Sequence, residues 1–268
     1  MNHTEIRVDT SAKGGDGKST VCANLGAALA MRGKRVLLID CDTANRSLDL
    51  LLGVQDSVLY SFFDVLAGRC SAAQAMTSVP GMEDSLFLLP GGHADRTSLD
   101  KDAFAYLLAA LPKENDACIF DYIYIDTPGG MRDLLTAAAS IAEEALIISS
   151  AQSTAIRSAE QTASLLSVCG IPSQKLIINA FMDGECFFTH TKRRKQKQIL
   201  ATKELFDVVD TVALPLLGVI PFDADVWSAQ NNGLLIGHPA YRKKPFLYAF
   251  QNIAARLEHR YVPLFTTS

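Results

Sequence analysis

The run Ser11-Ala12-Lys13-Gly14-Gly15-Asp16-Gly17-Lys18-Ser19-Thr20 has the residue types of a site for a polyphosphate. Its glycines let successive main-chain N–H groups turn inward around phosphate oxygens. The helix that follows offers its positive N-terminal end, and Lys18 reaches the β and γ phosphates. Ser19 supplies a hydroxyl for Mg²⁺. The spacing satisfies GxxxxGK[ST] only with Ala12 where the first glycine usually stands, so the formal pattern fails by one residue. Two acids, Asp40 and Asp126, each close an apolar run, 36–39 and 122–125. Such a position puts a carboxylate at the carboxyl edge of a sheet, where ligands of open α/β proteins gather. A magnesium ion bridging β and γ oxygens takes hard oxygen ligands and keeps several waters. Ser19 is therefore read as a direct ligand, Asp126 as the principal acidic partner and Asp40 as an outer one.

These groups need a scaffold that delivers strand ends and a helix start to one place. Short apolar runs recur at 36–39, 86–89, 122–125, 145–148, 176–178 and 216–220, each followed by a turn and a helix-like segment. The runs are continuously apolar, so both faces of each strand should be covered. Between them, 19–31 carries Val21, Cys22, Leu25, Ala28 and Leu29 at helical spacing and stops at Gly33. The alternation predicts an α/β fold, a mostly parallel sheet with helices on both faces. Without a repeat, a low-complexity tract or a long Pro/Gly/Ser linker, residues 1–268 are expected to form one domain.

Composition narrows the classes of function. With 268 residues and 49% hydrophobic content the chain can bury a sizeable core, which excludes general disorder. Lys and Arg number 25 against 29 Asp and Glu, a net charge of −4, so long-range attraction to nucleic acid or anionic lipid is not the default. No apolar run reaches the roughly 18 residues that span a bilayer, and residues 1–7 lack a signal-peptide apolar region, so a cytoplasmic protein is expected. Six widely separated cysteines without CxxC or CxH spacing read as isolated reduced thiols.

The sequence from Lys13 to Thr20 resembles the deviant phosphate loop of the MinD/ParA family of ATPases, in which a second, signature lysine stands where Lys13 stands here. The resemblance continues over about residues 6–260. Asp40-Cys41-Asp42 with Arg46-Ser47-Leu48-Asp49 is similar to the family's first switch, and Ile125-Asp126-Thr127-Pro128-Gly129-Gly130 to its Walker B strand and second switch. The segment Gly218-Val219-Ile220-Pro221-Phe222-Asp223 and the turn Asn231-Asn232-Gly233 also match. Within the family, Leu88-Leu89-Pro90-Gly91 and the stretch 48–53 resemble MinD more than plasmid ParA.

The resemblance implies a three-layer P-loop NTPase of the SIMIBI type, with ATP and Mg²⁺ as ligands and Gly14 to Thr20 around the phosphates. It implies three catalytic groups: Lys18, Asp42 orienting the attacking water, and Lys13 crossing into the partner's site when two copies sandwich two ATP molecules. An added cation at the γ-phosphate then acts as an arginine finger does. Hydrolysis would require an ATP-dependent homodimer that an unidentified protein partner reads, and cell-division site selection is the role implied. Asn179 with Pro221, Phe222 and Asp223 would meet the adenine, although an Asn can equally cap a turn. Arg157 aligns near the dimer face or is an ordinary exposed helix arginine. The same superfamily offers other readings: a ParA-like partitioning ATPase on DNA, a carrier for metal cargo, or a regulatory module that holds nucleotide without turnover.

Four features depart from that pattern. Asp16 puts a carboxyl group where the family commonly has a small apolar residue, and it is expected to point away from the phosphates. In the first strand, 6–10, Arg7 and Asp9 occupy positions that a central strand fills with apolar residues, so either they pair with each other or that end of the sheet is wet. The chain closes on 261–268 without the short basic amphipathic helix of MinD proteins, so no autonomous membrane anchor is expected. Phe246, Phe250, Ile253, Ala254 and Leu257 form a stripe suited to the sheet, although Arg242 to Lys244 leave a surface membrane helix open. The basic run 192–197 reads as a solvated helix face, with non-specific DNA or anionic lipid as the alternative, and Phe187 and Phe188 just upstream anchor the loop or meet a partner.

Overall fold

The computed structural model describes residues 3–11, 13–43, 45–92, 100–114, 117–183, 195–230, 232–239 and 242–264. The chain runs β1 (Glu5–Thr10), α1 (Lys18–Ala30), β2 (Val36–Asp40), α2 (Ser47–Leu51), a 3-10 turn at Gln55–Ser57, α3 (Phe62–Leu66), α4 (Ala72–Ala75), β3 (Thr77–Ser78), β4 (Leu86–Leu89) and α5 (Lys101–Ala110). It continues through β5 (Lys113–Glu114), β6 (Ala117–Cys118), β7 (Tyr122–Asp126), α6 (Arg132–Ala139), β8 (Glu144–Ser149), α7 (Ser153–Val168), β9 (Ser173–Phe181), α8 (Lys195–Val212), β10 (Leu216–Pro221), α9 (Ala224–Gln230) and α10 (Pro245–Leu257). Eight strands form one sheet in the order β10-β9-β8-β1-β7-β2-β4-β3, parallel except for β3. Helices α1 and α10 pack together over one face, while α6 and α7 lie against β1 and β8 with α5 and α8 beside them. This is the expected α/β architecture with both faces covered.

Every expected apolar run lies in a strand. The run 176–178 is only the buried middle of β9, whose flanks carry Ser173, Gln174 and Lys175 at one end. The sheet order reverses direction at β1, with β7 and β2 on one side and β8 on the other. Chain segments leaving β1, β7 and β2 therefore converge at one sheet edge, the place where such sheets bind ligands.

Neither expectation for Arg7 and Asp9 holds. Arg7 and Asp9 are buried, and Arg7 pairs with residues of neighbouring strands and with Glu5 of its own strand instead of with Asp9. Arg7 is 2% exposed; its Nε donates to Glu144 Oε2 at 3.0 Å, its Nη1 to the Tyr124 hydroxyl at 3.2 Å, and its Nη2 to Glu5. Glu144 also takes Lys175 Nζ at 2.8 Å and the Ser173 hydroxyl at 2.9 Å. The guanidinium lies 4.7 Å from the Tyr122 ring centroid. A buried charge held this way is compensated on every side.

The surface-membrane alternative for the last helix is overturned: Phe246, Ala249, Phe250, Ile253, Ala254 and Leu257 of α10 are buried against β10 and α1. Lys244, just before it, bonds Asp223 at 3.2 Å and Asp225 at 2.7 Å. Among the described residues no helix is long and apolar enough to cross a membrane. Of the basic run, 192–194 lie outside the described residues and 195–197 are described only as helical backbone, and Phe187 and Phe188 also lie outside them.

The approach of α10 to β10 is set at Gly218, where an added Cβ would sit 2.3 Å from Ile253 Cγ1 and 2.6 Å from its Cδ1. Gly218→Ala is expected to destabilise the protein by about 1–3 kcal/mol through overpacking. In urea unfolding, Gly218→Ala combined with Ile253→Ala should cost less than the sum of the two single changes, because the truncated side chain makes room for the methyl group. Strict additivity would show that the contact does not set the helix position.

Candidate functional site

Three carboxyl groups stand in register across neighbouring strand ends. Asp9 on β1 and Asp40 on β2 both pair with Asp126 on the β7 strand between them. Asp126 is fully buried and accepts from Lys18 Nζ at 2.7 Å on one oxygen and from Ser19 Oγ at 2.6 Å on the other. Burial works against the Lys18 charge, but Asp126 outweighs it and holds the ammonium above its ordinary value. The flanking acids lack such compensation. Burial, reinforced by the Asp126 charge, pushes Asp9 and Asp40 up to about 7.

Asp40 receives main-chain amides on both oxygens, from Asp42 at 2.9 Å and Leu48 at 3.2 Å. It ties together the two ends of the loop between β2 and α2. Inside that loop Asn45 holds Asp42, its amide donating to Oδ1 at 3.1 Å and its side chain to Oδ2 at 3.0 Å. The Asp9 side chain has no hydrogen-bond partner of normal geometry among the described residues and lies beside the Cys22 thiol of α1.

The phosphate loop bends at Gly15 and Gly17, with φ of 93° and 81°, in the left-handed region that a side chain strains. Gly17 caps α1, and a Cβ there would strike Asn179 Nδ2 at 2.2 Å. Asn179 uses that nitrogen to donate to the Asp16 carbonyl at 2.8 Å, bracing the loop from behind. From the other side Gly129 approaches so closely that a Cβ would lie 3.3 Å from Gly14 N and from the Lys13 carbonyl carbon.

A cavity of about 800 Å³ opens along this loop, lined by Gly14, Gly15, Gly17, Lys18, Ser19 and Thr20, by Asp42 from the next loop, and by Pro128 and Gly129. Lys13, Asp16 and Phe222 line a second cavity on the loop's outer side, with Ser150, Phe181 and Met182. The Asp16 carboxylate faces that side and accepts from Ser150 Oγ at 3.2 Å, in line with the reading that it turns from the phosphates. Asn179 and Pro221 lie in adjacent strands, and neither lines the main cavity. Asp223 accepts the amides of Asp225 and Val226 at the start of α9. Lys13 is exposed, as is Arg157 on α7.

The main cavity also gathers residues that sequence reasoning passed over: Asn45, Leu50, Leu51, Gln55, Met131 and Gln230. Asp9 was seen only as an oddity of the first strand. The register places it beside Asp126: Asp9 is next to last in β1, while Asp40 and Asp126 close β2 and β7. For Gln230 the sequence offers no comparable signal, because a glutamine at a short helix end is unremarkable.

The donor set suits a polyphosphate with a hard divalent cation. One buried ammonium, one hydroxyl and one buried carboxylate meet where helix α1 begins, and the bent loop leaves its amides beside an open cavity. Ser19 and Asp126 are the oxygen donors that would hold Mg²⁺.

Comparison with known proteins agrees. The CobQ/CobB/MinD/ParA nucleotide binding domain matches residues 8–236. The chain is 34% identical over 258 residues to a protein described as septum site-determining protein MinD from Synechocystis sp., covering 96% of this chain and 91% of that protein. It is 32% identical over 262 residues to the Bacillus subtilis protein of the same description, covering 97% and 91%. Among solved structures, the MinC:MinD cell division protein complex of Aquifex aeolicus superposes with a TM-score of 0.82 at 29% identity, covering 98% of this chain and all of that one. Pyrococcus horikoshii MinD complexed with Mg-ADP gives 0.71 at 27% identity, covering 96% of each chain.

The row of acids gives a pH signature. An unfolded chain releases the Asp9 and Asp40 protons near 3.8, and the folded chain holds them to about 7. The folded state thus binds more protons between those values, and this contribution to stability is full on the acid side and lost as pH rises through 7. Asp9→Asn should flatten the fall in stability of the nucleotide-free protein between pH 5 and 8, and raise its stability at pH 8 by on the order of 3 kcal/mol. Urea unfolding across that range checks both, and parallel profiles for the two proteins would contradict the assignment.

Proposed function

The chain belongs to the CobQ/CobB/MinD/ParA nucleotide-binding family, and we propose that this MinD-like P-loop ATPase of division-site selection works as a switch, closing into a homodimer on Mg-ATP and reopening after hydrolysis. The observation that carries the reading is the meeting of Lys18 and Ser19 on buried Asp126 beside a cavity walled by the glycine loop. Magnesium, which Ser19 and Asp126 would hold, would supply charge neutralisation of the phosphate chain.

The chain's own residues do the rest. Main-chain amides of Gly14 to Thr20 hold the phosphates in a fixed cradle, and Lys18 brings its charge from a buried position, where electrostatic attraction is weakly screened. Asp42 stands in the cavity wall with its carboxylate oriented by Asn45, a position from which it can align water for attack. Lys13 points away from its own cavity, on the exposed outer side of the loop. That placement supports action on a neighbouring copy's phosphates rather than its own. Asn179 and the 221–223 segment lie next to each other on β9 and the end of β10 and are proposed to flank the base. The Aquifex aeolicus structure is of MinD with MinC, and a protein partner that reads the closed form of this chain is proposed by analogy.

Light scattering with Mg-ATP and Mg-ADP, together with phosphate-release assays, tests the switch. Only the triphosphate should give a dimer, and Asp42→Ala should make that dimer persist. Lys18→Ala should abolish binding, whereas Lys13→Ala should still bind Mg-ATP yet turn over about 10²-fold more slowly or less. A wild-type protein that stays monomeric with every nucleotide would refute the mechanism.

A further inference from the structure

Gln230 is the last residue of α9 and lines the main cavity with Thr20, Asn232 and Gly233. It is 9% exposed, and its carboxamide is only half used. The oxygen accepts a long hydrogen bond from Thr20 Oγ1 at 3.5 Å, and Nε2 has no partner among the described residues. An amide donor buried without an acceptor is destabilising, and native structures rarely keep one that nothing satisfies. A leucine of similar volume would fill the space without that penalty. The position is also well fixed. The turn after Gln230 presses on the end of the α2 segment, where a Cβ on Gly233 would lie 2.9 Å from Gly53 Cα and 3.1 Å from Gly53 N. Gln230 therefore sits on a braced wall, against the hydroxyl of Thr20, the residue that follows Ser19.

We infer that Gln230 is a nucleotide-binding residue, its carboxamide turning from the closed position of the ligand-free chain so that Nε2 donates to an acceptor oxygen of the ligand that the Gly14–Thr20 loop holds. This rests on the nucleotide reading of the cavity and adds to it a wall contact from α9. Two parts of the nucleotide carry suitable oxygens, the phosphate chain and the ribose, and the probes below separate them. The carboxamide serves binding and does not serve the stability of the ligand-free fold.

Calorimetric titration of wild type, Gln230→Leu and Lys18→Ala with Mg-ATP, Mg-ADP, Mg-2′-deoxy-ATP and Mg-tripolyphosphate tests this, alongside melting of each protein without ligand. Gln230→Leu should bind Mg-ATP and Mg-ADP about 10-fold more weakly, the value of one hydrogen bond to a charged or strongly polar acceptor. Its ligand-free melting temperature should equal or exceed that of wild type, because an orphan donor has been removed. The same loss toward tripolyphosphate places the acceptor on the phosphate chain. A loss confined to the nucleotides places it on the nucleoside, and a smaller loss toward the deoxy compound identifies the 2′-hydroxyl. Unchanged affinity of Gln230→Leu while Lys18→Ala loses binding overturns the role of Gln230 alone, as does a melting temperature that falls with the affinity. If wild type binds none of the probes, the nucleotide reading itself fails.

Discussion

The site depends on one charge among three carboxyl groups. Strands β7 and β2 end in Asp126 and Asp40, and Asp9, next to last in β1, stands in register with them at the spacing of a parallel sheet. Three adjacent buried carboxylates cannot all ionise cheaply. Lys18 and Ser19 both donate to the middle one and favour its charged form against a burial that raises Asp126, while its neighbours, without that ammonium bond, are pushed up to about 7. The fixed position of the lysine at the start of α1 follows from that arrangement.

The loop above this row is rigid because it is clamped from two directions. Gly129 meets its main chain from the second switch, and Asn179 bonds the Asp16 carbonyl from β9. Gly14 and Gly15 line both cavities, so the loop is the wall between an inner chamber holding Lys18 and an outer one holding Lys13 and Asp16. That division explains how an acid is tolerated inside a phosphate-binding loop. The Asp16 carboxylate belongs to the outer chamber, where the Ser150 hydroxyl satisfies it, and its repulsion of phosphate is kept on the far side of the wall.

Much of the fold was legible because parallel strands covered on both faces must be continuously apolar, and 36–39, 122–125 and 145–148 show this directly. The short helices α2 to α4 were not legible, since five residues or fewer carry no periodicity to read. In the site, Lys18, Ser19 and Asp126 could be named from spacing because one loop and one strand end fix them. Arg7 misled for a physical reason. Glu5 is two residues away, but its partners Glu144 and Tyr124 lie 137 and 117 residues away in the chain, so the rest of the pairing exists only after the strands are ordered. Gln230 escaped notice likewise, because its significance is an unfilled hydrogen bond, which only three-dimensional packing defines.

The same row also places the loop between β2 and α2. Asp40 does not face the cavity; it spends both oxygens on the amides of Asp42 and Leu48, the two ends of the segment that carries Asp42. Asn45 within that segment then fixes the Asp42 carboxylate at the cavity wall. The position of Asp42 is thus transmitted from the strand end through Asp40, by two hydrogen bonds whose acceptor sits next to Asp126 in register. An ionised acceptor makes stronger bonds to N–H groups than a neutral one. The grip on the loop and the seat of Lys18 are therefore set by one row of side chains. In this architecture the Lys18 ammonium and the Asp42 carboxylate cannot be arranged independently.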